Sequence, residues 1–197
     1  ALPSGADATT AISIYLCGSE DEFVKLMNEK AEELGLENTH FTNASGLYDP
    51  NHYSTATDIA MLMSAVMEND TCREILGTYQ YTTSATEQHP EGIPLESTMF
   101  SRMYGNEVTG ITIEAGKTGY TDEAGHCLVS YATDADGKRF IAVTAKGPTY
   151  WRAVFDTFAI YGLVHDGYPM PDNLAAQETD ENGSAIDTTE TSAAPAA

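Results

Sequence analysis

Over the first third of the chain, apolar residues recur at three- and four-residue spacing, the signature of amphipathic helices. Ala8, Ala11, Ile12, Tyr15 and Leu16 share one face of a helix expected over residues 5–18, and Gly18 closes it. Ser19 opens a second helix, with Glu22 three residues on as a capping box. Its expected buried stripe is Phe23, Leu26, Met27, Ala31 and Leu34, and Gly35 is its stop. Residues 36–53 are rich in turn formers, among them Asn43, Ser45-Gly46 and Asp49-Pro50-Asn51, and read as a long structured loop. A third helix starts near Ala56, with Ile59, Leu62, Met63, Val66 and Met67 inward, and residues 71–76 add a further helical turn.

The period then changes from helical to alternating. Thr78 to Thr83 reads as a short strand, while residues 84–106, with Pro90 and Pro94, read as irregular. Val108 to Ile113 leads into Gly116-Lys117-Thr118-Gly119-Tyr120 as one strand candidate; Cys127 to Thr133 and Arg139 to Ala145 are the next two. Asp134-Ala135-Asp136-Gly137 joins the latter two as a hairpin turn. A last helix runs from Thr149 to about Val164, with Trp151, Val154, Phe155, Phe158 and Ala159 inward. Helices, then an antiparallel ribbon, then a helix give an α+β architecture over residues 1–170. Residues 171–197 turn acidic and low in complexity, without base or aromatic, and read as a disordered tail or linker.

The chain has 197 residues and is 42 % hydrophobic, enough for one globular domain plus a tail. Lys plus Arg is 9 against 30 Asp plus Glu, a net charge of −21. That balance argues against nucleic acid and against anionic lipid as partners. No apolar stretch is long enough to cross a bilayer, so membrane association is expected only through parts not in this chain. Cys17, Cys72 and Cys127 are widely spaced and expected to be buried thiols, not metal ligands. His40, His52, His89, His126 and His165 form no HExxH or comparable pair, so a metal peptidase is disfavoured and no metal or cofactor is expected.

Lys117-Thr118-Gly119 carries the sharpest chemical signal. A Lys on a strand rim is a fixed positive charge, Thr adds a hydroxyl, and Gly lets another backbone approach. Together they suit an extended peptide with a terminal carboxylate, laid along a sheet edge; the plainer alternative is an ordinary exposed strand lysine. Ser4-Gly5-Ala6-Asp7 is the second signal, with helix capping by Ser4 or Asp7 as its plain reading.

These segments, in order, resemble a known family. Leu2 to Ala8, Gly18-Ser19-Glu20, Asn38-Thr39-His40-Phe41, Ser45-Gly46-Leu47, His52 to Ala56, and Gly116 to Thr121 with Ala124-Gly125 are similar to the serine-type D-alanyl-D-alanine carboxypeptidases, peptidase S11, the low-molecular-mass penicillin-binding proteins. The resemblance covers about residues 1–165 and implies the C-terminal part of a β-lactamase/transpeptidase-like catalytic domain. It implies removal of the terminal D-Ala from peptidoglycan stem peptides through an acyl-enzyme, recognition of β-lactams, and a place at the extracytoplasmic face of a bacterial cell envelope. A class A β-lactamase shares the Lys-Thr-Gly, but the long loop matches the carboxypeptidases better.

Within that resemblance Ser4 matches the Ser of the family's Ser-x-Asn element and would relay a proton toward the leaving amine. Lys117 would place charge near Ser4 and the substrate carboxylate, and Thr118 would hydrogen-bond that carboxylate. Gly119 completes the motif, and the backbone N–H of Tyr120 would donate to the oxyanion. Arg152 matches, by spacing, a family Arg near the carboxylate; a solvated helix Arg is its plainer reading.

Two departures stand out. Ala6 occupies the place of the family's Asn. The five lysines Lys25, Lys30, Lys117, Lys138 and Lys146 are preceded at three residues by Glu22, Met27, Glu114, Ala135 and Val143, so no Ser-x-x-Lys occurs in these residues. The expectation is therefore a fragment of a carboxypeptidase, inactive alone; the alternative is a non-catalytic truncated relative that binds stem peptides.

Overall fold

A computed structural model describes residues 1–103 and 108–164, with the backbone of 178–179 and 185–186. The helices predicted from periodicity are present as α1 (Ala6–Cys17), α2 (Glu20–Glu33), α3 (Ala56–Met67) and α4 (Asp70–Gly77). Their starts are set by side-chain caps. Ser19, Thr55 and Asn69 accept from the N–H groups of Glu22, Asp58 and Cys72 at 3.0–3.2 Å. The Glu22 half of the expected capping box is not made, because its carboxylate pairs with Lys25 on the next turn. Helix α1 starts after Gly5 with no side-chain cap, so neither Ser4 nor Asp7 plays that part.

The sheet is antiparallel, in the order β3 (Ile111–Thr121), β4 (Gly125–Asp134), β5 (Arg139–Gly147). The turn between β4 and β5 is the expected one. Gly137 takes φ 78°, and the Asp134 carboxylate accepts from the N–H groups of Asp136 and Lys138. Residues 84–106, expected to be irregular, contain β2 (Pro94–Glu96), paired with β1 (Gln80–Thr82), and the short helix α5 (Phe100–Met103).

Both faces of the sheet are covered. Leu128 and Ala132 of β4 and Ala142 of β5 lie in one cluster with Ala153, Val154, Phe158 and Tyr161 of helix α6 (Tyr150–Val164). On the other face Ala115 and Tyr131 pack with Met63 and Met67 of α3. The strict alternation along β4, Leu128 and Ala132 one way and Val129 and Tyr131 the other, is the period-two pattern of a strand buried on both sides. Inside the first cluster, the Tyr161 hydroxyl and Ser130 share a hydrogen bond of 2.8 Å. Burial pushes the Tyr161 phenol up to about 12, an effect the Ser130 bond partly offsets.

One expectation fails clearly. Ala8, Ala11, Ile12, Tyr15 and Leu16 of α1, expected inward, are all exposed, and Ser13 is the buried residue of that helix. Periodicity reports that a face is apolar, not what covers it, and among the described elements α1 packs against α2. On α2, Leu26 is exposed and Val24 takes its place inward. The three cysteines are free and half-buried. The expected boundary near residue 170 and most of the acidic tail lie outside the described residues; within it, β6 (Glu178–Thr179) pairs with β7 (Ala185–Ile186).

Candidate active site

The N-terminal segment, α5, the end of β3 and the start of α6 meet around one cavity of about 290 Å3. Leu2 fixes the first of these by accepting from the Thr98 N–H at 3.2 Å. Thr98 in turn shares a 2.5 Å hydrogen bond with the Thr118 hydroxyl. The chain then rises through Ser4, a non-glycine residue at φ 56°. Such a left-handed conformation costs about 1–3 kcal/mol and concentrates at functional sites. It presents the Ser4 hydroxyl to the Lys117 ammonium, which donates to it and, at 2.6 Å, to the Thr118 carbonyl.

Ser4, Thr118, Gly119 and Tyr120 line the cavity, and Lys117 reaches its wall through Ser4. Five of the expected site residues are thus brought together by elements more than 110 residues apart in sequence. Arg152 is placed elsewhere. It lies on α6, outside the cavity lining, with its Nε 2.9 Å from Asp156 Oδ1 one turn on.

Arg102 is the residue that sequence reasoning missed. It lines the cavity from α5, donates from Nη1 to the Thr98 carbonyl at 2.7 Å, and lies 4.9 Å over the Tyr150 ring. A helix of four residues shows no periodicity, so nothing in the pattern marked it. Among the described residues the lining includes this guanidinium and no carboxylate, in a chain with net charge −21. Cations gathered against such a background mark a place for an anion. Burial, and next the Arg102 charge, lower the Lys117 ammonium from its ordinary range, so it gives up a proton more readily than a surface lysine.

The two glycines flanking Lys117-Thr118 play different parts. A Cβ on Gly116 would lie 2.5 Å from the Val129 carbonyl oxygen and would collide with Met99 Sδ, so that glycine is demanded by packing. Among the described residues, a Cβ on Gly119 would meet only Cys127 Cβ, at 4.0 Å. Its bareness keeps the cavity open instead of relieving a contact.

The histidines of the long loop are structural. His40 Nδ1 lies 2.7 Å from the Asn51 carbonyl, and His52 Nδ1 accepts from the Thr42 N–H. Among the described residues no group of His, Cys, Asp and Glu could hold a metal, and no helix is long and apolar enough to cross a membrane.

The sequence model of the peptidase S11 family, D-alanyl-D-alanine carboxypeptidase, matches residues 1–149. The D-alanyl-D-alanine carboxypeptidase DacF of Bacillus subtilis is 39 % identical over 150 residues, 76 % of this chain and 36 % of that protein. DacA of Escherichia coli is 35 % identical over 156 residues, 76 % of this chain and 34 % of its own length. Among solved structures, the Streptomyces DD-transpeptidase superposes with a TM-score of 0.71 at 29 % identity, over 83 % of this chain and 64 % of that one. Penicillin binding protein 5 of Haemophilus influenzae gives 0.68 at 30 % identity, over 81 % and 44 %. The chain spans about a third of the length of these curated relatives. With the α+β fold of the penicillin-binding DD-peptidases and the match across three quarters of its length, the chain belongs to the D-alanyl-D-alanine carboxypeptidase family, peptidase S11.

Proposed function

We propose that these residues form the substrate-holding, proton-moving part of a D-Ala-D-Ala carboxypeptidase site, and that the acyl-forming serine comes from a Ser-x-x-Lys outside them. The observation that carries this reading is the meeting of Ser4 with Lys117 on β3, whose other edge is unpaired among the described residues. A stem peptide would add as a further strand along Lys117-Thr118-Gly119. Its terminal carboxylate would face the Thr118 hydroxyl and the Arg102 guanidinium. Arg152, held by Asp156, would have to leave its ion pair to take part. The Tyr120 N–H would donate to the oxyanion. Ser4, fed by the depressed Lys117 ammonium, would pass a proton to the departing D-Ala amine.

Ala6 has no group to hydrogen-bond the substrate amide, so the strand edge and the carboxylate contacts carry the affinity. The setting is the extracytoplasmic face of a bacterial envelope, with β-lactams as mimics of the same peptide end. Without an upstream nucleophile the chain binds and does not turn over.

Trp151 is the single tryptophan and lies 5.1 Å from the Tyr150 ring that lines the cavity, so its fluorescence is the readout coupled to the site through Tyr150. Its fluorescence is expected to saturate with Nα,Nε-diacetyl-L-Lys-D-Ala-D-Ala and not with the C-terminal amide. Arg102→Gln should weaken the acid peptide at least tenfold, as loss of a charge-assisted contact does. Equal binding of acid and amide would overturn the reading.

A further inference from the structure

One wall of the cavity is aromatic, and it contains an imidazole. His126 stands on β4 directly opposite Tyr120 in the strand register. Its imidazole stacks on the Tyr120 ring at 4.3 Å and 25°, and meets the Tyr150 ring edge-on at 5.9 Å. Arg102 lies on Tyr150 as well, so one guanidinium and one imidazole share the wall. Among the described residues nothing hydrogen-bonds the His126 ring nitrogens, although the ring is half-buried.

We propose that His126 is a second, proton-dependent contact for the terminal carboxylate of a peptide in this cavity, so that binding takes up one proton. The proposal rests on the function read above and names a residue that neither Lys-Thr-Gly nor its flanks contain.

The charges around the ring decide the direction. From α5 comes the Arg102 guanidinium; from β5, Lys146 lines the pocket on the outer side of His126. From the β3–β4 turn come Asp122 and Glu123, which line that outer pocket too, and Asp122 is held by the Tyr120 hydroxyl at 2.6 Å. Beside it on β4 is the Cys127 thiol, and from α6 the Tyr150 phenol. Burial first, and Arg102 second, keep the imidazole below its ordinary range, which favours its neutral form. A carboxylate entering beside Arg102 cancels that positive field and offers an acceptor to the ring N–H. The charged form of His126 is then favoured, and linkage requires affinity to rise as pH falls. A one-unit rise on binding corresponds to about a tenfold gain in affinity between pH 8 and pH 5.

The test follows Trp151 fluorescence with the same diacetylated tripeptide and its amide from pH 5 to pH 8, in the wild type and in His126→Gln. The acid peptide should bind about tenfold more tightly at pH 5 in the wild type, and the slope should vanish in His126→Gln. As a measurement needing no variant, the His126 ring proton followed by NMR should titrate at higher pH when the peptide is saturating. A slope that survives in His126→Gln, or a wild type with no slope and an unmoved His126, overturns the inference and leaves the binding reading standing. A wild type that does not prefer acid to amide at any pH overturns the binding reading, and this inference with it.

Discussion

Helices α1 and α6 are of similar length and both carry apolar residues at helical spacing, yet they end in opposite environments. Tyr161 of α6 is fully buried, whereas Tyr15 of α1 is 87 % exposed. The difference lies in what each helix meets. Helix α6 lies across β4 and β5, where Ala132, Leu128 and Ala142 leave room for Phe158 and Tyr161. Helix α1 meets α2 along one line and presents Ile12, Tyr15 and Leu16 to solvent. The same hydrophobic pattern therefore contributes stability in one helix and leaves an apolar face exposed, among the described residues, in the other.

The widest separation should come from truncation. Phe158→Ala, at the centre of the sheet-side cluster, should cost about 3–5 kcal/mol in denaturant unfolding. A loss under 1 kcal/mol would mean that α6 does not anchor the sheet.

Next come the two glycines around Lys117-Thr118. Gly116→Ala must push into Met99 and the Val129 carbonyl, and should destabilise by about 1–3 kcal/mol. Gly119→Ala should leave stability within about 0.5 kcal/mol while weakening peptide binding, because its methyl would enter the cavity. Equal stability losses at both positions would erase the distinction between packing and access.

The loop between α2 and α3 gives a smaller, pH-dependent effect. The buried Asp58 carboxylate accepts from the Thr39 hydroxyl at 2.7 Å and the Asn38 N–H at 2.8 Å, which hold it below the usual carboxylate range. A depressed carboxylate contributes stability that is full above its unfolded value and lost as pH falls through its folded one. Asp58→Asn should therefore be less stable than the wild type in denaturant unfolding at neutral pH, and the gap should narrow as pH falls through the carboxylate's folded value; a gap that does not change with pH would contradict this.

The smallest effect belongs to α1. Leu16→Ser should change stability by no more than about 0.5 kcal/mol, since that side chain is 62 % exposed. A loss of several kcal/mol would show that the face is covered in solution.

Much of this arrangement was legible in the sequence because it rests on local chemistry. The caps at Ser19, the turn at Asp134–Gly137 and the alternation of β4 are local signals, and each element formed where its signal stood. Lys117 and Ser4 were legible as motifs, but their contact across the fold was visible only through family resemblance. Arg102 was hidden in a stretch whose prolines masked a one-turn helix. For Arg152 the competing signal was present all along, since Asp156 stands four residues on, the spacing at which helical ion pairs form. The direction of the α1 face was illegible for a physical reason: amphipathicity is a property of a helix, and burial is a property of its neighbours.

The most direct test of the central claim, that Ser4 and Lys117 move protons and hold substrate but supply no acylating nucleophile, is the intact mass of the purified chain after incubation with benzylpenicillin. An unchanged mass is the predicted result. A stable gain of one penicillin mass, located on Ser4 by peptide mapping, would contradict the account and make Ser4 the nucleophile.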